Sequence, residues 1–172
     1  MKKHYLLTLL TIVALAAGVR ATTVIPPTFD ELVDQAEVIF QGKVTDVTSQ
    51  WAGEGAQRHI VSYVTFKIEE GLKGNLNRTY TIRMLGGTVG DESMGVTDAP
   101  TFVTGDRDIV FVQNNGTQFI PLVGIMHGRF HVERDQTGRQ SVLNKNGEKV
   151  SELADFKAAI HSKLAGGAHP VQ

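Results

Sequence analysis

Apolar side chains follow the two-residue period of extended strands along most of this chain. The stretch that best shows this is 36–48, where Val38, Phe40 and Val44 fall on one face of an extended backbone. Gly42 lies on the same face, where a missing side chain permits a bend or a close backbone approach. After Val44 the phase shifts by one, because the next branched residue is Val47. The pattern predicts a long strand that bends and changes phase midway.

The remaining strands are shorter, and turn residues separate them. The clearest alternation covers His59–Glu70, with Ile60, Val64 and Phe66 on one face. The nearly continuous apolar run at 108–113 is typical of a strand that is buried on both faces. Further strands are predicted at 79–85, 118–123, 128–133 and 140–143, with turns at 114–116, 135–138 and 146–147.

Two stretches have the helical period instead. Thr28 and Glu31 form a capping-box pattern ahead of an apolar stripe that ends at Ala36, which predicts a two-turn helix. A second helix is predicted at 150–164, with Ser151 as its N-cap. The sequence therefore predicts one mainly β domain, residues 22–165, followed by a flexible tail at 166–172. The expected architecture is a small closed or partly open barrel with a short N-terminal helix and a C-terminal helix.

The first residues have the pattern of a signal peptide. Lys2 and Lys3 precede the uncharged run Tyr5–Ala17, and small residues at 19 and 21 suit cleavage near Ala21. We therefore expect residues 1–21 to be removed, and the mature protein to be periplasmic or secreted without a stable membrane anchor. Without the three basic residues of the leader, 14 basic and 18 acidic residues remain, which argues against nucleic acid as a partner. The absence of cysteine excludes disulfides and thiol chemistry.

Candidate binding groups lie in and around one long loop. The segment 86–105 is rich in glycine and carries Asp91, Glu92 and Asp98, which makes it a functional or mobile loop. These carboxylates are candidate ligands for calcium, although their spacing matches no EF-hand, and a solvated acidic loop is the alternative. Trp51, at the end of the first strand, and Tyr63, on the polar face of the second, are candidates for stacking on a sugar or a peptide. Capping of the barrel end by Trp51 is the alternative.

The sequence contains no recognisable catalytic or cofactor-binding pattern. His127 and His131 lie four residues apart, which on a strand separates them by ~13 Å, too far to share one metal unless Gly128 bends the strand. The stretch at 91–95 lacks the first glycine and the following helix of a nucleophile elbow. The glycines at 86–90 match neither a phosphate-binding loop nor a dinucleotide fingerprint. We therefore expect a non-enzymatic protein without a cofactor.

The order of motifs resembles two known groups. The stretches FDELVDQAEVIFQGKV, EEGLKG, RMLGG, PTFVTGDRDIVFV and PLVGIMHGRFHV together resemble a group of exported bacterial proteins. EVIFQGKV followed by VTFKIEEGLKG is also similar to the netrin-like domain, an oligonucleotide/oligosaccharide-type barrel of metalloproteinase inhibitors. That family staples its N-terminus with cysteines, which this chain lacks. The resemblance and the candidate residues together suggest an exported binding module whose partner is a protein or glycan of the cell envelope. The alternative is a netrin-like regulator or inhibitor of a metalloprotease that acts through Thr22–Val24.

Overall fold

The computed structural model describes residues 26–167, so the predicted signal peptide and the segment Thr22–Val24 lie outside the described residues. The described chain is mainly β, with a large antiparallel sheet and two α-helices, as the sequence predicted. The elements are α1 (Phe29–Gln35), β1 (Val38–Ala52), β2 (His59–Lys73), β3 (Thr79–Leu85), β4 (Gly87–Val89), β5 (Glu92–Met94), β6 (Arg107–Val112), β7 (Arg129–Arg134), β8 (Gln140–Leu143), β9 (Lys149–Glu152) and α2 (Leu153–Gly166).

Helix α1 begins with the predicted capping box. The Thr28 hydroxyl accepts a hydrogen bond from the backbone N–H of Glu31 at 3.2 Å. The Glu31 carboxylate in turn accepts from the backbone N–H of Thr28 at 2.7 Å. These two bonds satisfy backbone donors that the first helical turn leaves free. The buried stripe of α1 then packs towards α2, where the rings of Phe29 and Phe156 lie 5.4 Å apart.

Strand β1 lies near the middle of the sheet, whose order is β3-β2-β1-β6-β7-β8-β9. Its pairing with β2 contains three register shifts, and one of them lies between Val44 and Asp46. This shift is the phase change that the sequence predicted, because one extra residue moves the following side chains to the other face. A Cβ at Gly42 would lie 3.1 Å from the carbonyl oxygen of Lys67 and 3.2 Å from the Phe40 ring. The missing side chain therefore permits the close approach of β1 and β2.

Both faces of the central strands are buried. Along β6, Ile109 and Phe111 belong to one hydrophobic core, and Val110 and Val112 belong to the other. The continuous apolar run in the sequence follows from this double burial. The helix-side core consists of Leu32, Val33, Ala36, Ile39, Leu72, Ile109, Phe111, Val123, Phe130, Val132, Val142, Leu153, Phe156 and Ile160. The loop-side core consists of Phe40, Val44, Val64, Phe66, Ile82, Met84, Phe102, Val110, Val112, Ile120 and Leu122.

The sheet has two ends, at β3 and β9, and within residues 26–167 no closed barrel is found. The outer edge of β3 is covered by the loop that follows β6. The side chain of Asn115 accepts from the N–H of Arg83 at 3.1 Å and donates to the carbonyl of Thr81 at 2.8 Å. The N–H of Leu85 donates to the carbonyl of Phe119 at 2.7 Å. These bonds satisfy an edge that would otherwise present free backbone groups to other chains.

Three local predictions require correction. Ser151 does not cap α2, because residues 149–152 pair with β8 as β9, and the helix begins at Leu153 after Glu152. Segment 118–123 forms a single bridge, Val112 with Leu122, and no regular strand. Segment 86–105 is not a uniform loop, since β4 and β5 form a hairpin and Phe102 is buried in the loop-side core.

Two further observations concern the predicted C-terminal tail and the two α-helices. Helix α2 continues through Gly166, the first residue of the predicted tail, and residues 168–172 lie outside the described part of the chain. Neither helix in residues 26–167 has the length and apolar character needed to span a membrane.

Gly42→Ala tests the close approach of β1 and β2. We expect it to lower the free energy of unfolding by about 1–3 kcal/mol, because the new methyl group has to displace backbone or a packed ring. Urea denaturation measures this change. Gly95→Ala is the matched control, since a Cβ at Gly95 meets nothing within 4 Å. Equal stability of the two variants would contradict this account of β1.

Candidate functional site

The two aromatic residues proposed for ligand stacking do not share a face. Trp51 pairs with Ile60 across the β1–β2 ladder, and Tyr63 pairs with Thr48. Ile60 and Tyr63 lie an odd number of residues apart on β2, so the strand alternation points them in opposite directions. The guanidinium of Arg58 stacks over the Trp51 ring at 3.9 Å from its centroid. Part of the ring face is therefore already occupied by the protein's own cation.

The three loop carboxylates are also separated. Asp91 lies in the tight turn between β4 and β5, Glu92 begins β5, and both are exposed. Asp98 lies further along the loop and lines a cleft with residues from other elements. Among residues 26–167, the acidic loop residues do not form a group of three close metal donors. The structure therefore assigns only Asp98 to a concave site.

A buried ionic network lies beside this cleft. Asp108 opens the apolar part of β6 and has no solvent exposure. Arg129, on β7 opposite Val110, donates from Nε to Asp108 Oδ1 at 3.0 Å and from Nη2 to Asp106 Oδ2 at 3.2 Å. The same guanidinium donates to the carbonyl of Thr101 and lies 4.6 Å above the Phe102 ring. One side chain thus joins the end of the long loop to the sheet.

His131 completes the network on the cleft side. Its Nδ1 lies 3.1 Å from Asp108 Oδ1, and the two residues are direct partners across β6 and β7. The hydrogen bond to Asp108 raises the pKa of His131, although partial burial opposes the rise. The second oxygen of Asp108 is buried and has no hydrogen-bond partner among residues 26–167. The carboxylate therefore depends on Arg129 and His131 for its compensation.

The donor atoms of Asp106, Asp108 and His131 lie within 4.8 Å of one another, which is close enough to consider a metal. The guanidinium of Arg129 already lies 3.0–3.2 Å from both carboxylates. A divalent cation would meet this fixed positive charge and would have to displace it. The group therefore fits an ion-pair network and does not fit a metal centre. His127 is not part of it.

The cleft has a volume of about 570 Å³ and is formed where three loops meet one face of β7. Its walls combine charged and amide groups with a few apolar contacts. The lining residues are Asp98, Ala99, Pro100, Thr101, Asp106, Met126, Arg129, His131, Glu133, Leu143, Asn144, Lys145, Asn146 and Gly147. This mixture of polar and apolar lining residues is typical of a small binding site.

A strained turn borders the cleft. Ile125 has a φ of 59°, a left-handed conformation that is an outlier for a β-branched residue. It begins a short 3-10 turn, Ile125–Gly128, which carries Met126 to the cleft wall. A Cβ at Gly128 would lie 2.9 Å or less from backbone atoms of Val123 and Phe111, so the turn lies directly against the sheet. Strained backbone conformations of this kind are found most often at active sites and ligand-binding sites.

Sequence reasoning missed the centre of this site. In the sequence, Asp108 only marks the start of an apolar strand, and His131 stands out only by its spacing from His127. A usable signal was present, because a carboxylate that opens a strand buried on both faces requires a buried cation nearby. The sequence contains one, since Arg129 opens the strand that carries His131. The sequence does not show which strand lies opposite Asp108.

Comparisons with protein-family models, with curated proteins and with solved structures found no match to this chain. The function is therefore inferred from the groups in the cleft and in the network behind it.

Arg129→Met tests the buried network. We expect a loss of about 3–5 kcal/mol in the free energy of unfolding, because Asp108 would remain buried without its cation. Chemical denaturation at neutral pH measures the loss. Arg134→Met, an exposed position on the same strand, is the control and should change stability little. A loss below about 1 kcal/mol in Arg129→Met would show that the pair is not needed.

The two histidines should give opposite pH dependences. A pKa raised in the folded state stabilises the protein below the ordinary histidine value of about 6.5, and this stabilisation is lost as the pH rises through the folded-state pKa. His131→Gln should therefore cost more stability at pH 5.5 than at pH 8.5. Burial lowers the pKa of His127, with Lys145 adding to the effect, so its protonation disfavours folding. His127→Gln should relatively favour the folded state at pH 5.5. Urea titrations at both pH values decide between these signs, and equal signs would contradict the assignment.

Proposed function

We propose that this protein is an exported, non-enzymatic binding module of the cell envelope, and that the cleft is its binding site. The observation that carries the proposal is the cleft itself, with its polar walls backed by Asp108 and Arg129. The ion-pair network holds the end of the long loop at Thr101 and Asp106, so this wall of the cleft is preorganised before a ligand binds. Such preparation lowers the entropic cost of binding.

Binding without catalysis is favoured by what surrounds His131. Its Nδ1 is engaged by a buried carboxylate, an arrangement that also orients catalytic histidines. A histidine–hydroxyl mechanism further requires a hydroxyl nucleophile in hydrogen-bond reach of the ring. Within residues 26–167, the hydrogen bond of His131 goes to Asp108, and none joins the ring to a hydroxyl. Recognition of a ligand by the imidazole requires no group beyond those that surround His131.

The architecture supports a second candidate, a netrin-like regulator of a metalloprotease. We infer a partly open barrel of the oligonucleotide/oligosaccharide type around the loop-side core. Segment 119–122 supports this inference, because it bridges to β6 at Val112 and accepts a hydrogen bond from β3 at Leu85. The segment therefore lies between β3 and β6, the two strands that a further strand would have to join in order to close the barrel. In this candidate, an N-terminal extension before Thr22 abolishes protease inhibition and leaves cleft-dependent binding unchanged, which separates the two functions.

A bulky side chain at the rim of the cleft tests the leading proposal. Asn146 is exposed and lines the cleft in the turn between β8 and β9. We expect Asn146→Trp to reduce retention of the protein on immobilised cell-envelope fragments by at least about tenfold, which corresponds to 1.4 kcal/mol. Asn77→Trp, in the exposed turn before β3, is the matched control.

Trp51→Ala separates the cleft from the aromatic surface predicted from the sequence. Loss of retention in Trp51→Ala, together with full retention in Asn146→Trp, would move the binding site from the cleft to the end of β1. Circular dichroism spectra of the three variants check that each remains folded.

A further inference from the structure

The charges at the cleft do not balance. Asp106 in the cleft wall and the buried Asp108 behind it share the single cation of Arg129. Asp98 and Glu133 also line the cleft, and Lys145 is the other lysine or arginine among the lining residues. Counted together, these four acids and two bases leave a formal charge of −2 when His131 is neutral. A cleft of one dominant sign raises the local concentration of ligands of the opposite sign. Cationic ligands are therefore favoured over anions.

His131 presents a proton acceptor to this cleft. Asp108 is fully buried, and it is bonded to Nδ1 of the imidazole. The side chain of His131 is 33% exposed and lines the cleft, so the exposed edge is the one opposite Nδ1, which carries Nε2. A neutral ring that donates from Nδ1 to a carboxylate keeps its lone pair on Nε2. Glu133 lies two residues along β7, on the same face.

The apolar residues that line the cleft further restrict the chemical class of its ligand. Pro100, Met126 and Leu143 contribute apolar surface beside the charged groups. A lysine side chain matches this combination, because a four-carbon stem carries its ammonium group. An amino sugar offers the charge but has hydroxyl groups where the stem would lie. The cleft therefore suits a lysine of a protein partner better than a glycan.

We propose that the cleft binds a lysine ammonium group of a protein partner through Glu133 and the Nε2 lone pair of His131, which share one face of β7, and releases it when His131 is protonated. This proposal rests on the cleft being the binding site. Protonation converts the Nε2 acceptor into a donor and adds a positive charge beside the bound cation, so both effects oppose binding. An ammonium group cannot reverse its role, since it has only donors.

Several charged groups set the protonation of His131. Asp108 and Asp106 favour the protonated ring, and Arg129 disfavours it. The groups that face this region are Asp106 and Asp108 at the start of β6, Arg129 and Glu133 on β7, His127 from the turn before β7, Lys145 from the turn after β8, and Asp98 from the long loop. The hydrogen bond that His131 donates to Asp108 raises the pKa of His131 above its usual value, so the release occurs at a higher pH than it would with an ordinary histidine.

The experiment uses a short peptide as a probe, acetyl-Gly-Lys-Gly-amide, and follows the amide resonances of the protein by NMR. We expect shifts at residues of the cleft, with the affinity at pH 8.0 at least about fivefold higher than at pH 5.5. The lysine ammonium keeps its charge over this range. The same peptide with acetylated lysine is the ligand control. A glucosamine tetramer is the second ligand arm.

Variants assign the effect to individual groups. Glu133→Gln should weaken binding of the lysine peptide at least about fivefold, whereas Glu54→Gln, an equal charge change in the exposed β1–β2 loop, should not. His131→Gln provides an uncharged acceptor and should bind equally at both pH values. Retention of the wild-type pH dependence in His131→Gln would overturn the role of His131.

The remaining outcomes separate this proposal from the proposed function. Equal binding of the lysine and acetyl-lysine peptides would overturn ammonium recognition, and tighter binding of the glucosamine tetramer would overturn the protein partner. Either result is compatible with loss of envelope retention in Asn146→Trp, which would leave the cleft as the binding site. Unchanged retention in Asn146→Trp would instead remove the cleft and this proposal with it.

Discussion

Asp108 places a charged group, fully removed from water, at the start of the strand that both hydrophobic cores share. A buried carboxylate is tolerated only when cations and hydrogen-bond donors compensate its desolvation. Arg129 and His131 provide this compensation from the neighbouring strand. The requirement determines the pairing of the two strands, since the network forms only where Asp108 lies opposite His131. The loop end at Thr101, the orientation of the imidazole and the inner wall of the cleft depend on the same carboxylate.

The long first strand determines where the remaining parts of the cleft can lie. Its register shifts let β1 pair with β2 along nearly its whole length and with β6 only at its beginning, from Val38 to Lys43. Beyond that point β6 is free to turn into the loop that carries Asp98 and Asp106. The two cores differ in what covers them, because helices cover one face and loops cover the other. The cleft is lined by loop residues and by one face of β7, so its shape is easier to change than that of the helix-side core.

The sequence predictions succeeded where the physics is local. The capping box of α1 involves residues three apart, and the phase change after Val44 is visible as a break in alternation. Strand β3 was predicted with its observed limits, because its alternation and its flanking glycines and asparagines agree. The prediction of a cap at Ser151 was wrong because strand pairing with β8 competes with helix initiation there. Of the five predicted binding residues, only Asp98 lines the cleft, because residue type alone does not show which side chains become neighbours in the fold.

The chain by itself determined a mainly β domain with two helices, because alternation, turn residues and caps act over a few neighbouring positions. It also determined that β6 is buried on both faces, since its apolar run has no polar face to expose. Only the tertiary structure decided that Asp106, Asp108, Arg129 and His131 meet. Asp108 and Arg129 lie 21 positions apart along the chain, and their contact is set by the register of two strands. Register depends on the packing of whole faces, which no local pattern contains, so the candidate site is visible only in the folded structure.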